Sequence, residues 1–376
     1  MEERLSRGAA ARAAPPAGEL LAHVRAGVAT ATLNRPAAHN AISWNMLLAL
    51  RDRLEAWEHD DAVRVIVLRG AGDKAFCAGG DVRTFHAAFR DHGCVDHEFF
   101  TVEYALDFSI HTYRKPVVAV MDGIVMGGGM GLAQGAALRI VGERTRMAMP
   151  ETAIGLFPDV GGSYFLSRTP GAVGEWLALA GPTIRAADAL YCGLADIYLS
   201  HASIGRLDEW LAHAAASRDP RAALKALAMR DERSRLHAPE IGSVRETIER
   251  HFNAPAVEAI VASLATETVH REWAQRTREA ILRHSPTALK IALEQVRRGR
   301  GAALADCFRM ELNLVRGCLD HGDFFEGIRA MLVDKDRNPR WHPARLEDVS
   351  RADVERFFEP RWTAAQHPLS HLRPQQ

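Results

Sequence analysis

The sequence predicts an α/β fold of repeated β-β-α units with a helical C-terminal region. Two observations predict it. Short apolar runs of strand length alternate with segments of helical spacing up to about Ala172, and beyond that point helical periodicity continues with very few strand candidates. The expected organisation is a disordered tail over 1–18, an α/β core with the active site over 19–200, and a helical region over 201–376.

In chain order, residues 20–24 and 28–33 flank Arg25-Ala26-Gly27, which predicts a hairpin. Ser43 suits the N-cap of a helix whose apolar positions Met46, Leu47, Leu50, Leu54 and Trp57 follow helical spacing. Residues 63–68 read as a buried strand and 99–112 as a helix. Pro116 leads into a strand at 117–121, followed by a helix over 129–137 and short strands at 138–141 and 147–149. Helices are then expected at 176–179, 186–192, 207–215, 221–229, 257–266, 271–283, 288–297 and 304–319. The most polar stretch, 218–240, reads as a linker or mobile segment.

Composition narrows the function classes. Apolar content of 47% and charged content of 25% are those of a soluble globular protein. The 47 basic and 47 acidic residues cancel, so no electrostatic footprint for nucleic acid or an anionic membrane is present. The run 117–138 is almost uncharged, but Asp122 and several glycines interrupt it, and it reads as a buried strand followed by a buried helix. Cys77, Cys94, Cys192, Cys307 and Cys318 are scattered without a CxxC pair, which suits reduced thiols in a cytoplasmic protein. The tail contains Glu2 and Glu3 and has no apolar signal core. The 17 histidines are dispersed and show no metal-ligand spacing.

Three segments carry chemistry. Met149-Pro-Glu-Thr-Ala-Ile-Gly-Leu-Phe-Pro-Asp-Val-Gly-Gly162 sets Glu151 and Asp159 among apolar residues, where carboxyls can be tuned for proton transfer or nucleophilic work. Either acid also suits a capping role, Asp159 most plainly before Val-Gly-Gly. The tract Met126-Gly-Gly-Gly-Met-Gly131 lies between a strand and a helix, where glycines let backbone N–H groups approach a phosphate or an oxyanion. It suits tight helix packing equally well, and spacing leaves both readings open. It is not a dinucleotide fingerprint, because Leu132 or Gln134 stands where the last glycine belongs. Ala75-Phe-Cys-Ala-Gly-Gly-Asp81 offers another N–H group at Gly79 or Gly80, or is an ordinary loop. Cys77 has no His or Asn paired with it in sequence and reads as a packed thiol. No GxSxG, HExxH or Walker loop occurs.

In this order the three segments resemble the crotonase (enoyl-CoA hydratase/isomerase) superfamily. The longer strings Phe76-Cys-Ala-Gly-Gly-Asp-Val-Arg83 and Gly123-Ile-Val-Met-Gly-Gly-Gly-Met-Gly-Leu132 resemble its 3-hydroxyisobutyryl-CoA hydrolase branch, thioesterases of valine breakdown. So do the Met149–Gly162 string and the far segment Asp323-Phe-Phe-Glu-Gly-Ile-Arg-Ala-Met-Leu-Val-Asp-Lys-Asp-Arg-Asn-Pro-Arg-Trp341. The resemblance implies the crotonase (ClpP-like) fold and an acyl-CoA substrate whose thioester carbonyl meets the N–H groups of Gly80 and Gly128 in an oxyanion hole. It implies Glu151 as the main catalytic carboxyl, activating water or attacking directly, and Asp159 as its partner at the substrate hydroxyl or the water. It also implies that Glu103 contacts substrate.

Hydratases of the superfamily carry a second catalytic glutamate at the position of Gly131, so glycine there favours hydrolysis over hydration. A glycine at 131 is also expected to leave room for a branched, hydroxylated acyl group. The expected activity is hydrolysis of 3-hydroxyisobutyryl-CoA; the alternative is a 2-enoyl-CoA hydratase or isomerase. No metal or redox cofactor is expected, since CoA is part of the substrate. Neither nucleic acid nor membrane is an expected partner, and the resemblance implies a homo-oligomer.

Overall fold

The computed structural model describes residues 18–92 and 97–373, so the expected tail (except Gly18) and Cys94 lie outside the described residues. Strands β1 (Leu20–Arg25) and β2 (Val28–Leu33) form the expected antiparallel hairpin around Ala26 and Gly27, both in the left-handed region. Helix α1 (Trp44–Glu58) starts where Ser43 Oγ accepts the Met46 N–H at 3.1 Å, and it buries Met46, Leu47, Leu50, Leu54 and Trp57. Strand β3 (Val65–Gly70) begins later than expected because the Val63 N–H closes a turn on the Asp60 carbonyl.

After β3 the chain repeats one manoeuvre. Strand β4 (Ala75–Cys77) precedes helices α2 (Arg83–His92) and α3 (Glu98–Thr112). Strands β5 (Val117–Met121) and β6 (Ile124–Met126) precede α4 (Gly128–Gln134). Strands β7 (Leu138–Val141) and β8 (Arg146–Ala148) precede a 3-10 turn, Glu151–Ile154. Each pair gives its first strand to a large sheet and its second to a small one. With β9 (Ile197–Tyr198), the large sheet has the order β1-β2-β3-β5-β7-β9, parallel beyond the hairpin, and the small parallel sheet has the order β4-β6-β8.

The small sheet positions the chemistry. In its register Cys77 faces Val125 and Val125 faces Met147. Gly80, Gly128 and Glu151 therefore leave the same end of three adjacent strands, the carboxyl end where α/β sheets place ligands.

Helices α5 (Gly162–Leu166), α6 (Val173–Ala180) and α7 (Ala186–Tyr191) follow. Helices α8 (His201–Ile204), α9 (Leu207–Ala216) and α10 (Pro220–Leu227) then cover the outer face of the large sheet, setting Leu207, Leu211, Leu224 and Leu227 against Val65, Val67, Val118 and Ile140. The stretch read as a linker is thus partly structural: Asp219 caps α10, and Glu232 accepts the Ser200 N–H at 2.9 Å. Its polarity is that of a one-sided surface helix.

The remaining helices are α11 (Glu240–Phe252), α12 (Val257–Leu264), α13 (Arg271–Arg283), α14 (Pro286–Gly299), α15 (Leu304–His321), α16 (Asp323–Ile328) and α17 (Arg351–Phe358). One hydrophobic core runs from Ala29 to Leu372, so these helices and the first sheet share an interior. A π-helical turn, Arg329–Val333, follows α16; Arg329 ties it to Glu326, Asp334 and Asp336.

Helix α16 packs directly on the Glu151–Ile154 turn. A Cβ on Gly155 would lie 2.4 Å from the Asp323 carbonyl carbon, and one on Gly327 would lie 2.4 Å from that of Ile154. Backbone contact this close needs glycine on both sides. Ser285 reinforces the joint: its N–H donates to the Thr152 carbonyl at 3.1 Å and its Oγ to Asp323 Oδ2 at 2.6 Å. Gly327→Ala should therefore force the turn off α16 and lower stability by about 1–3 kcal/mol in denaturant titration. Gly301→Ala, with nothing within 4 Å of its added carbon, should leave the midpoint unchanged.

Candidate active site

Gly80, Gly128, Glu103, Glu151 and Asp159 all line one cavity of about 710 Å³. Apolar side chains, among them Phe85, Phe99, Ile154 and Leu156, line the same cavity, and Met331 and Leu332 of the π-helical turn complete it. The C-terminal region thus supplies part of its wall.

The backbone donors come first. A parallel bridge joins Ile42 to Gly80 through the N–H groups of Ile42 and Asp81, which leaves the Gly80 N–H out of it. Gly128 is the first residue of α4, where an N–H has no carbonyl one turn back to meet. A Cβ on Gly128 would lie 3.4 Å from the Gly80 nitrogen, and one on Gly79 would lie 3.5 Å from the Gly128 nitrogen. Two backbone donors therefore lie side by side at the cavity wall, an arrangement suited to a developing oxyanion. Gly79 (φ +98) and Gly127 (φ +50) hold the conformations that bring the loops this close.

Acids lie immediately behind these donors. A Cβ on Gly128 would sit 2.4 Å from Glu103 Oε1, and one on Gly127 would sit 2.9 Å from Glu151 Oε1. Glu103 Oε1 and Glu151 Oε2 are buried without a hydrogen-bond partner, as expected of groups held for a substrate rather than for the fold. Asp159 is different: its Oδ2 accepts the Tyr104 hydroxyl at 2.7 Å.

The Asp159 loop is strained and braced. Val160, a β-branched residue, has φ +53, and Gly161 follows at +87. Glu311 of α15 accepts the Gly161 N–H at 2.7 Å, the Ser163 N–H at 2.9 Å and the Ser163 hydroxyl at 2.5 Å. Gln295 of α14 donates to the Pro158 carbonyl at 2.5 Å.

Burial governs the proton affinities. It pushes the Glu151 carboxyl well above the usual range, with the Asp159 charge adding to the effect, and it does the same to Glu103. Burial raises Asp159 only to about 6, because the Tyr104 hydroxyl stabilises its charged form. Glu311 is pushed up to about 8 by burial despite its donors. Burial also pushes the Cys77 thiol up to about 12, which leaves it no thiolate character near neutral pH.

Sequence reasoning missed Tyr104, Asp107, Gln295 and Glu311, all on helices whose spacing reads as core. The available signal was two acids, Glu103 and Asp107, one turn apart on the otherwise apolar helix α3. Asp107 is fully buried, and neither of its oxygens has a hydrogen-bond partner. It also overturns the expectation of open room at Gly131. A Cβ there would lie 2.4 Å from Asp107 Oδ2 and 2.6 Å from Val160 Cβ, and Gly131 does not line the cavity.

Among the described residues, no group of three or more His, Cys, Asp or Glu is placed to hold a metal ion. No helix among them is long and apolar enough to cross a membrane. Glu311→Ala should leave the Gly161 and Ser163 donors unpaired in the core, at about 1–3 kcal/mol for each. The expected readout is a lowered thermal midpoint with the secondary structure retained by circular dichroism.

Comparison with known proteins places this geometry. A family model described as enoyl-CoA hydratase/isomerase matches residues 28–358. A Gallus gallus protein named 3-hydroxyisobutyryl-CoA hydrolase, mitochondrial, is 40% identical over 346 residues, covering 92% of this chain and 89% of that one. An Arabidopsis thaliana protein named probable 3-hydroxyisobutyryl-CoA hydrolase 2 is 39% identical, with 91% of each covered. Among solved structures, a carnitinyl-CoA dehydratase from Mycobacterium thermoresistibile matches with a TM-score of 0.82 at 39% identity, covering 91% of this chain and 96% of that one. An enoyl-CoA hydratase from Rhodobacter sphaeroides matches at 0.81 and 34% identity, covering 91% and 98%. The fold is therefore the crotonase fold expected from the sequence, and the chain belongs to the enoyl-CoA hydratase/isomerase family.

Proposed function

We propose that the protein hydrolyses an acyl-CoA thioester, with 3-hydroxyisobutyryl-CoA as substrate and CoA and 3-hydroxyisobutyrate as products, a step of valine catabolism. One observation carries the reading: two adjacent backbone N–H groups, at Gly80 and Gly128, stand before two buried carboxyls that each keep one oxygen without a hydrogen-bond partner and a third held by a tyrosine. The thioester carbonyl oxygen would lie between the two N–H groups, where loss of one donor typically costs about 10²–10³ in rate. Glu151 and Asp159 form the catalytic pair, and Glu103 contacts the substrate beside Gly128. The names of the Gallus gallus and Arabidopsis thaliana relatives support the choice of substrate.

The second reading, a 2-enoyl-CoA hydratase or isomerase, draws on the descriptions of the two solved structures. Against it stands position 131, where a glutamate would collide with Asp107 and Val160. A cytoplasmic location belongs to the proposal and rests on Cys77, Cys192, Cys307 and Cys318, which are free and buried; the Gallus gallus relative's name says mitochondrial. A homo-oligomer is proposed with it on the family resemblance.

The decisive assay follows free thiol from 3-hydroxyisobutyryl-CoA against hydration of crotonyl-CoA. Thiol release with little hydration supports the hydrolase, and fast hydration without thiol release overturns it. Glu151→Ala should lower turnover by about 10²–10⁴ while CoA binding by calorimetry is retained. Unchanged turnover would remove Glu151 from the chemistry.

A further inference from the structure

Position 131 gives an acyl group no room, so the space for its body has to lie elsewhere in the cavity. Arg35 and Asp81, an ion pair at 2.8 Å, make one part of the lining polar. The apolar part joins Phe85 of α2 and Phe99 of α3 to Ile154 of the 3-10 turn and to Met331 and Leu332 of the π-helical turn. The apolar body of an acyl group belongs on that side. Among the described residues, Met331 and Leu332 are the only ones after Asp159 that line the cavity.

Several contacts fix where these two side chains sit. Ile328 and Ala330 are fully buried and anchor the turn in the core, whereas Met331 and Leu332 are only half-buried, with the cavity beside them. Gly327, one helical turn before Met331, lies in backbone contact with Ile154, so the turn keeps a set distance from the Glu151 segment. Phe89 of α2 stacks on Phe325 at a centroid distance of 3.8 Å, which joins α2, and with it Phe85, to the same helix. Arg329 closes the turn itself. It reaches Glu326 Oε1 at 2.8 Å, Asp334 Oδ2 at 2.7 Å and Asp336 Oδ2 at 2.7 Å, and its carbonyl accepts the Asp334 N–H at 2.8 Å. Partly exposed ion pairs add little to stability, so three acids on one guanidinium are better explained by the geometry they fix. Single π-turns are rare and recur at functional sites.

We propose that Met331 and Leu332 are specificity-determining residues that limit the length of the acyl group, with Arg329 as the positioning residue that holds them. The substrate class this selects is a CoA thioester of a short, compact acid. A longer acyl chain meets side chains that are held in place. It is then either refused or admitted with its carbonyl drawn away from the Gly80 and Gly128 N–H groups. A wall free to retreat would make no such distinction. Discrimination by packing is worth about 10–200-fold for an added methylene, which sets the range an experiment has to read.

The limit on turnover rests on the thioesterase reading, whereas the wall itself can be read by binding, and the experiment has an arm for each. One arm follows kcat/KM for thiol release over 3-hydroxyacyl-CoA esters lengthened one methylene at a time. The other measures affinity by calorimetry for inert S-alkyl-CoA thioethers of the same lengths. In the wild type both should fall by about tenfold or more within the first few added methylenes. Leu332→Ala and Met331→Ala should move that fall to longer chains and Leu332→Phe to shorter ones, with affinity for free CoA unchanged in all three. Arg329→Gln, folded by circular dichroism, should shift the profile in the same direction as the alanine variants. A wild type indifferent to length overturns the proposal, as do alanine variants that keep the wild-type thioether profile. A loss confined to free-CoA affinity also overturns it, because the two side chains would then lie against the CoA moiety. A wild-type profile in Arg329→Gln, with only a lowered thermal midpoint, removes Arg329 from its positioning role. If the wild type releases no thiol, the thioesterase reading falls while the thioether affinities still decide the acyl limit.

Discussion

Glu103, Glu151 and Asp159 are buried in the wall of one cavity, and the rest of the molecule answers to that constraint. An isolated buried carboxylate is costly, so Glu103, Glu151 and Asp107 are driven toward their neutral forms. Groups in that state contribute little to folding and tend to draw water or counter-ions unless the backbone around them is stiff. The stiffness comes from outside the α/β core. Glu311 and Gln295 brace the Asp159 loop, and the α16 backbone locks the Glu151 turn through Gly155 and Gly327. The helical region is therefore a structural partner of the acids, and its Met331 and Leu332 also line their cavity.

The donors follow a different logic, that of the small sheet. Neighbouring parallel strands end together, so equal lengths of chain beyond Cys77 and its register partner Val125 bring Gly80 and Gly128 abreast. A donor pair built this way uses main-chain atoms of two separate β-β-α units, an arrangement that suits an oxyanion without any side chain having to be ordered for it. The cost is conformational: Gly79 and Gly127 adopt positive φ, and a Cβ on Gly128 would collide with Glu103, whereas one on Gly80 would make only ordinary contact with Phe99. A short glycine-rich string in the sequence therefore already marks a candidate site, because few other residue types could be placed there.

Legibility in the sequence divides along the same line. The hairpin, the Ser43 cap and the α1 stripe were readable because local periodicity and capping decide them. Strands β4 and β6 were not, since three residues show no alternation and lie inside glycine motifs that read as loops. Among the site residues, Glu151 and Asp159 stood out as acids in an apolar string, and the structure brings them to one cavity with Gly80, Gly128 and Glu103. Tyr104, Asp107 and Glu311 did not, because on a helix a buried tyrosine or carboxyl keeps the spacing of the core around it. Only tertiary contact separates them from packing residues: Tyr104 meets Asp159 across 55 positions of sequence, and Glu311 meets Gly161 across 150.

Position 131 connects these strands of reasoning. A glycine where the resemblance leads one to expect a glutamate in a hydratase first suggests a missing acid and a vacant space. The space is occupied: Asp107 reaches into it from α3, backed by Val160 of the Asp159 loop. The Asp107 carboxyl thus lies outside the cavity wall, and the glycine is the condition for its fit. The acids that line the cavity are Glu151 and Asp159 on one short segment, Glu103 behind the donors, and Asp81, which is paired with Arg35. A pair drawn from one segment can be disturbed by any change in that segment's support. It follows that the joints at Glu311, Gln295 and α16 hold the geometry of these acids as well as the fold.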